Sequence, residues 1–442
     1  MNEANIIGLA SVGLMLVLIY AGMYVAFALS MLSVIGVWLI RGDFDIAANL
    51  LALAVNDAIS DYVFGVVPLF VLMGLLVATA EIGRDTFEVA NQMLRRIRGG
   101  LGIATVAANA VFAAITGISI ASAAVFTKVA VPEMLRHGYT PRFSVGVVAG
   151  SSVLGMLIPP SLLLILYGIL TEKSIGDLFI AGVVPGIVLA LAYSIAIVIV
   201  AKMRPGLIYV DPARQDAGSG APLMGVGEIA GKLLPIALLV ILVLGGIYGG
   251  LFTPVEAGAV GAAGALVIAV AKRRLNWQLL WKVLVETAHI TAAICFLIIA
   301  ASLYSRMLAI SGVTELLRTV IVDTGFGFAG LLTVFIIVVL ILGTLLDSSS
   351  IMLITIPLIL PALINFQTDL IWFGIVTLLA VEIGLLTPPF GIAVFVIKAT
   401  LGPTSKITLE DIFAGAFPFA FVMFLVLMAV IAVPQLATIL LR

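Results

Sequence analysis

Asp347, Ser348, Ser349 and Ser350 stand together in "GTLLDSSSIMLI" (Gly343 to Ile354), an oxygen-rich run set in otherwise apolar text. A second such cluster, Thr116, Ser119 and Ser122, lies in "AAITGISIASAAV" (Ala113 to Val125). A double proline follows each cluster: Pro159 and Pro160 in "VLGMLIPPSLLL", then Pro388 and Pro389 in "EIGLLTPPFGIA". Proline has no N–H, so the carbonyl four residues before it loses its helical donor. This reading expects free carbonyls at Gly155 and Met156 in the first half, and at Gly384 and Leu385 in the second. Unpaired carbonyls at membrane depth have to face protein or a polar cavity. Together with hydroxyls and a carboxylate they offer hard oxygen ligands for a cation such as Na⁺.

The candidate Na⁺ ligands are Thr116, Ser119, Ser122, Gly155, Ile158 and Pro160 in the first half. In the second half they are Gly343, Asp347, Gly384, Thr387 and Pro389. Blander readings stand beside these. A proline can merely kink a helix, and Ser119 and Ser122 can act as small residues packing helices closely. Asp347 can be a proton carrier or a cation ligand; its three serine neighbours favour the ligand. Glu382 is a minor candidate that can simply bond a neighbouring helix.

Such residues need a membrane fold to hold them. Of 442 residues, 63% are hydrophobic and 10% charged, against about 25% charged in a soluble domain. Apolar runs long enough to span a bilayer recur throughout, marking an all-α polytopic membrane protein. The alternating pattern of an outer-membrane barrel is missing. A net charge of −1 gives no nucleic-acid footprint, and a single cysteine, Cys295, with two scattered histidines, His137 and His289, argues against a Cys/His metal site. The opening "MNEANIIGLASVGL" reads as the start of the first span, with neither the basic region nor the cleavage site of a signal peptide.

Sliding the chain against itself by 229 residues sets Pro159 on Pro388, Pro132 on Pro361, Gly155 on Gly384, Leu157 on Leu386 and Gly83 on Gly312. A shift held over so long a stretch indicates duplication. With the N-terminus outside, Arg41, Lys173, Arg306, Arg318 and Arg442 fall outside and the rest of the 22 Lys and Arg residues fall inside, as the positive-inside rule asks. The basic arm "GRDTFEVANQMLRRIR" then faces the cytoplasm and its counterpart "GVTELLRTVIVDTG" does not, so the repeat is inverted.

The expected organisation is a first repeat over 1–202, a cytoplasmic linker over 203–230 and a second repeat over 231–442. The first carries an arm helix (84–98), a re-entrant hairpin (about 100–134) and a broken helix (142–170). The second carries the same parts at 312–324, about 329–362 and 365–400. The opening spans and arms would form a scaffold, while hairpins and broken helices would form the moving part.

The stretches "VPLFVLMGLLVATAEIG", "PEMLRHGYTPRFSVGVVAGSSVLGMLIPPSLLLILYGILTEKSIGDLFIAGVVPG", "FTPVEAGAVGA" and "GLLTPPFGIAVFVIKA" resemble the large membrane subunit of tripartite ATP-independent periplasmic (TRAP) transporters. The resemblance spans roughly residues 5 to 440. It departs at the first hairpin tip, where relatives carry an "SGSS.A"-like string and this chain reads "TGISIASA". It implies a Na⁺-coupled importer of an organic acid in the bacterial inner membrane, working by an elevator movement. It also implies two partner chains, a small four-span membrane subunit and a periplasmic binding protein. Na⁺ would be the coupling ion, with no organic cofactor and no catalytic residue.

The carboxylate substrate would sit between the hairpin tips, near Ser119, Ser122, Ser348, Ser349 and Ser350. No Lys or Arg is near either tip in sequence. Helix N-termini, each worth about half a positive charge, and bound Na⁺ would meet its charge; a distant Arg306 is the alternative. Rival classes are a stand-alone Na⁺/anion symporter, a channel, and an intramembrane enzyme, for which no Ser–His or His/Asp pairing stands out.

Overall fold

In the computed structural model, described residues are 2–60, 62–211, 224–313, 315, 316, 319, 327–389 and 391–441. Their regular secondary structure is helical, and eight helices are long and apolar enough to cross a membrane. A ninth span is the bent pair Pro141–Leu157 and Leu162–Thr171, which turns by 40° at the first double proline. The helices follow from composition: in hydrocarbon every backbone N–H and C=O needs a partner, and a helix supplies it within one segment.

The shift of 229 residues carries helix onto helix. Val25–Arg41 maps onto Pro254–Ala271, Ser119–Arg136 onto Ser348–Asn365, and Leu162–Thr171 onto within one residue of Ile392–Leu401. Both Pro159–Pro160 and Pro388–Pro389 peptide bonds are cis. Packing between the halves is reciprocal. Val66–Thr79 packs on Pro254–Ala271, and Val25–Arg41 packs on the long helix Trp277–Ser311 that is the counterpart of Val66–Thr79. Leu162–Thr171 packs on Ser348–Asn365, and Ile392–Leu401 on Ser119–Arg136. Pairing in both directions is what an internal two-fold relation between the halves produces.

The hairpins run Gly100–Thr116 with Ser119–Arg136, and Gly327–Gly343 with Ser348–Asn365. Each is two antiparallel apolar helices around a short tip. The expected second arm, 312–324, falls largely outside the described residues. The first arm, Ile82–Leu94, packs against its own hairpin and also reaches across to the second half. Asp85 pairs with Lys272, Glu81 with Arg274 at 3.0 Å, and Glu88 with Lys232 at 2.7 Å. Gln92 holds both the N–H and the carbonyl of Met224, where the described chain resumes after 211.

Burial pulls the Glu88 carboxyl up, yet hydrogen bonds from Lys232 and Arg84 outweigh it and hold it below the ordinary carboxylate range. A carboxyl lowered on folding stabilises the fold above its unfolded pKa, and that contribution is lost as pH falls through the folded value. Thermal unfolding in detergent of the native chain and Glu88→Gln should therefore differ at neutral pH and converge in acid. A difference that persists or grows in acid would contradict this pairing.

Candidate functional site

At the first tip Thr116 ends one helix, Gly117 takes the left-handed conformation with φ +63°, and Ser119 starts the next. The tip docks on the break in the following helix: Leu162 N–H donates to the Gly117 carbonyl at 3.2 Å. A Cβ on Gly117 would lie 2.4 Å from the Pro160 carbonyl oxygen, and one on Gly155 would lie 3.2 Å from the Ile118 carbonyl. Glycine at both positions is what allows backbone to touch backbone here. The structure thus gathers Thr116, Ser119, Gly155, Ile158 and Pro160 around one junction, with Pro159 and Pro160 buried. Thr116 donates its hydroxyl to the Phe112 carbonyl at 3.0 Å, leaving lone pairs on its oxygen. Ser122, fully buried, has a hydroxyl without any partner.

One expectation fails at this junction. The Met156 carbonyl, expected free, accepts a hydrogen bond from the Ser161 hydroxyl. Ser161 also receives Leu164 N–H at 3.3 Å, capping Leu162–Thr171. A serine directly after the double proline is an N-cap signal, and the sequence reading passed over it. The Gly155 carbonyl still lacks its helical donor, because Pro159 has no N–H to give. Ser161→Ala removes the cap and uncovers a buried carbonyl, so it should cost about 1–3 kcal/mol, read as a lower unfolding midpoint with Ser161→Thr largely restoring it. An unchanged midpoint in Ser161→Ala would refute the cap.

The second junction is tighter. Gly343, ending the first hairpin helix, crosses Gly384, which lies just before the break: a Cβ on either would lie 2.6 Å from the other's Cα. The Gly384 carbonyl, expected free, accepts Thr387 N–H at 3.0 Å, because the chain tightens to an i+3 turn ahead of the prolines. Thr387 donates its hydroxyl to Ile383 O at 2.8 Å. Pro388 and Pro389 are exposed, unlike their buried counterparts.

Asp347 is the N-cap of Ser348–Asn365: its carboxylate accepts the Ser350 N–H at 3.1 Å and the Ser350 hydroxyl. Ser348 donates to Glu382 Oε1 at 3.2 Å, while Oε2 of this fully buried acid has no partner. Tyr193, on Ile175–Met203, is a second buried group with an unpartnered hydroxyl. The counterpart of Glu382 in the first half is Val153. Glu382 therefore ties the broken helix to the second tip, and the two junctions differ in chemistry.

Asp347 and Ser350 also line a cavity of about 510 Å³ with Tyr24, Phe27, Phe296 and Ile392, between the tip and the opening helices. No Lys or Arg lines it. Arg306, the alternative anion holder, lines a different cavity and is paired with Asp57 at 2.5 Å. Among the described residues no hydrogen bond joins the first junction to the second, so the structure forms two oxygen clusters, one in each half.

Two proline-broken helices, each docked to a hairpin in a repeated multi-span bundle, define a membrane transporter. The chain matches, over residues 12–436, the model of the tripartite ATP-independent periplasmic transporter, DctM component. It belongs to that family, as a multi-pass transporter permease and not an enzyme. It is 34% identical over 390 residues to the C4-dicarboxylate TRAP transporter large permease protein DctM of Pseudomonas aeruginosa, covering 88% of each chain. It is 30% identical over 373 residues to the sialic acid TRAP transporter permease protein SiaT of Haemophilus influenzae, covering 84% of this chain and 58% of that one. The solved YdaH transporter of Alcanivorax borkumensis shares the fold at a TM-score of 0.54 and 15% identity, over 84% of this chain and 87% of that one.

Proposed function

We propose that this chain is the membrane-embedded motor of a Na⁺-coupled importer of a small organic carboxylate in the bacterial inner membrane. The observation that carries this reading is the pairing of each hairpin tip with a helix break, repeated across two halves that pack reciprocally. One Na⁺ binds at Thr116, Ser119, Gly155, Ile158 and Pro160, with Ser122 close by on the same helix. A second binds at Gly343, Asp347, Gly384, Thr387 and Pro389. The carboxylate sits between the tips, at Ser119, Ser122 and Ser348 to Ser350. With no Lys or Arg in the cavity at the second tip, the charge of the substrate is met by helix N-termini and bound Na⁺. Asp347 repels a carboxylate until Na⁺ is in place, so Na⁺ binds first.

The repeats are inverted, and the moving body comprises the hairpins and broken helices, about 100–170 and 329–400. The opening spans and arm helices stay with the scaffold, held by the ion pairs of Asp85, Glu81 and Glu88. Membership of a tripartite system supports two partners: a small four-span membrane subunit, and a periplasmic binding protein that delivers the substrate. Similarity to a C4-dicarboxylate permease makes succinate the first probe. Proteoliposomes holding this chain with its small subunit should accumulate succinate only with the binding protein outside and an inward Na⁺ gradient. Accumulation without the binding protein would favour a stand-alone symporter. Equilibration without accumulation would favour a channel.

A further inference from the structure

A cavity with a charged lining lies against the first hairpin, with a volume of about 740 Å³. Its wall on Ser119–Arg136 is Val125, Lys128, Val129, Pro132, Glu133 and Arg136, a spacing of three and four that marks one helical face. The opposite wall is the arm, with Glu81, Arg84 and Glu88. Most of these charges are spent. Arg84 pairs with Glu88 at 3.0 Å, Glu81 with Arg274 at 3.0 Å and Arg136 with Glu133 at 3.8 Å. Lys128 is exposed and has no hydrogen-bond or ion-pair partner among the described residues.

The same face leads back to the tip. Ser122 is three residues before Val125, and it is the buried hydroxyl that has no partner. Six residues separate it from Lys128, about 9 Å along a helix axis. The second half lacks this arrangement. Lys128 corresponds to Pro357, which lines the related cavity of about 510 Å³ against the second hairpin, where the return helix contributes Pro357, Leu360, Pro361 and Ile364 and no cation. Duplication alone would give both cavities the same chemistry. Only the first presents an unspent positive charge.

We propose that Lys128 makes this cavity an anion subsite on the cytoplasmic side, where the carboxylate leaving Ser122 is held before release. The site is large enough for a small organic anion, and an exposed, hydrated ammonium attracts a carboxylate while still letting it leave to water. The proposal rests on the carboxylate-import reading and on the inside placement of the first arm.

Two measurements test it separately. In a Cys295→Ser background, Val129→Cys supplies a thiol beside Lys128. Its rates of modification by anionic sulfonatoethyl and cationic trimethylammonioethyl methanethiosulfonate are compared with Lys128 intact and in Lys128→Gln. The anion-to-cation rate ratio should fall about five-fold or more on loss of the charge, with labelling from the cytoplasmic face. An unchanged ratio, or labelling from the outer face alone, overturns the subsite. In proteoliposomes of the whole complex, Lys128→Gln should raise the KM for succinate efflux several-fold and leave the KM for uptake from outside unchanged. A lysine serving topology alone would leave both KM values untouched, and that result overturns the role in release. A native complex that moves no succinate would sink the C4-dicarboxylate reading, while the labelling ratio would still decide the subsite.

Discussion

Asp347→Asn should leave the protein folded and raise the Na⁺ concentration for half-maximal uptake by about ten-fold or more. The variant separates two roles that the structure superimposes on one side chain. As the N-cap of Ser348–Asn365, Asp347 accepts the Ser350 N–H, and Asn caps a helix about as well as Asp. The neutral amide keeps the cap and removes the negative charge, which is the quantity that tunes affinity for a hard cation. Asp347→Ala removes both, so it should add an unfolding penalty of about 0.5–2 kcal/mol to the same loss of Na⁺ affinity. Uptake against Na⁺ concentration, alongside thermal unfolding in detergent, reads the two effects apart. If Asp347→Asn takes up substrate with the native Na⁺ dependence, the carboxylate is only a cap. If it instead makes uptake indifferent to external pH, the residue carries a proton.

The parts that were legible in the sequence are those set by local, repeated text. Ser119–Arg136 and Ser348–Asn365 coincide under the shift that aligns the prolines, although only the second starts on a side-chain cap, Asp347, and the first follows Ile118, which has none. The broken helices were legible because proline cannot donate. The fate of the freed carbonyls was not. Met156 finds the hydroxyl of Ser161, and Gly384 finds the N–H of Thr387. Both are rearrangements within a turn of the break, where a fixed i+4 rule does not apply. Long-range partners were hidden altogether. Nothing near Glu382 in sequence points to Ser348, and nothing near Asp85 points to Lys272. The cost of burying an acid without a partner marks Glu382 as needing one, without saying which.

The glycine crossing at the second junction should be the position least tolerant of a single methyl group. Gly384→Ala places a Cβ 2.6 Å from the Cα of Gly343, and backbone on both sides leaves no flexible side chain to yield. Helix Gly327–Gly343 must then move off the break, parting Gly343 from Gly384 and carrying the tip with Asp347 away from it. Overpacking of this kind costs about 1–3 kcal/mol, and Na⁺-dependent uptake should fall to background. Gly155→Ala, at the equivalent place in the first half, meets Ile118 at 3.2 Å and should lose part of its uptake. Gly13→Ala, on a spanning helix with nothing within 4 Å, should transport normally and gain up to about 1 kcal/mol from helix propensity. Three methyl groups of equal size would thus give three outcomes, ordered by the space each one meets. Uptake by Gly384→Ala at the level of Gly13→Ala would mean that the second hairpin does not need to close on the break for transport.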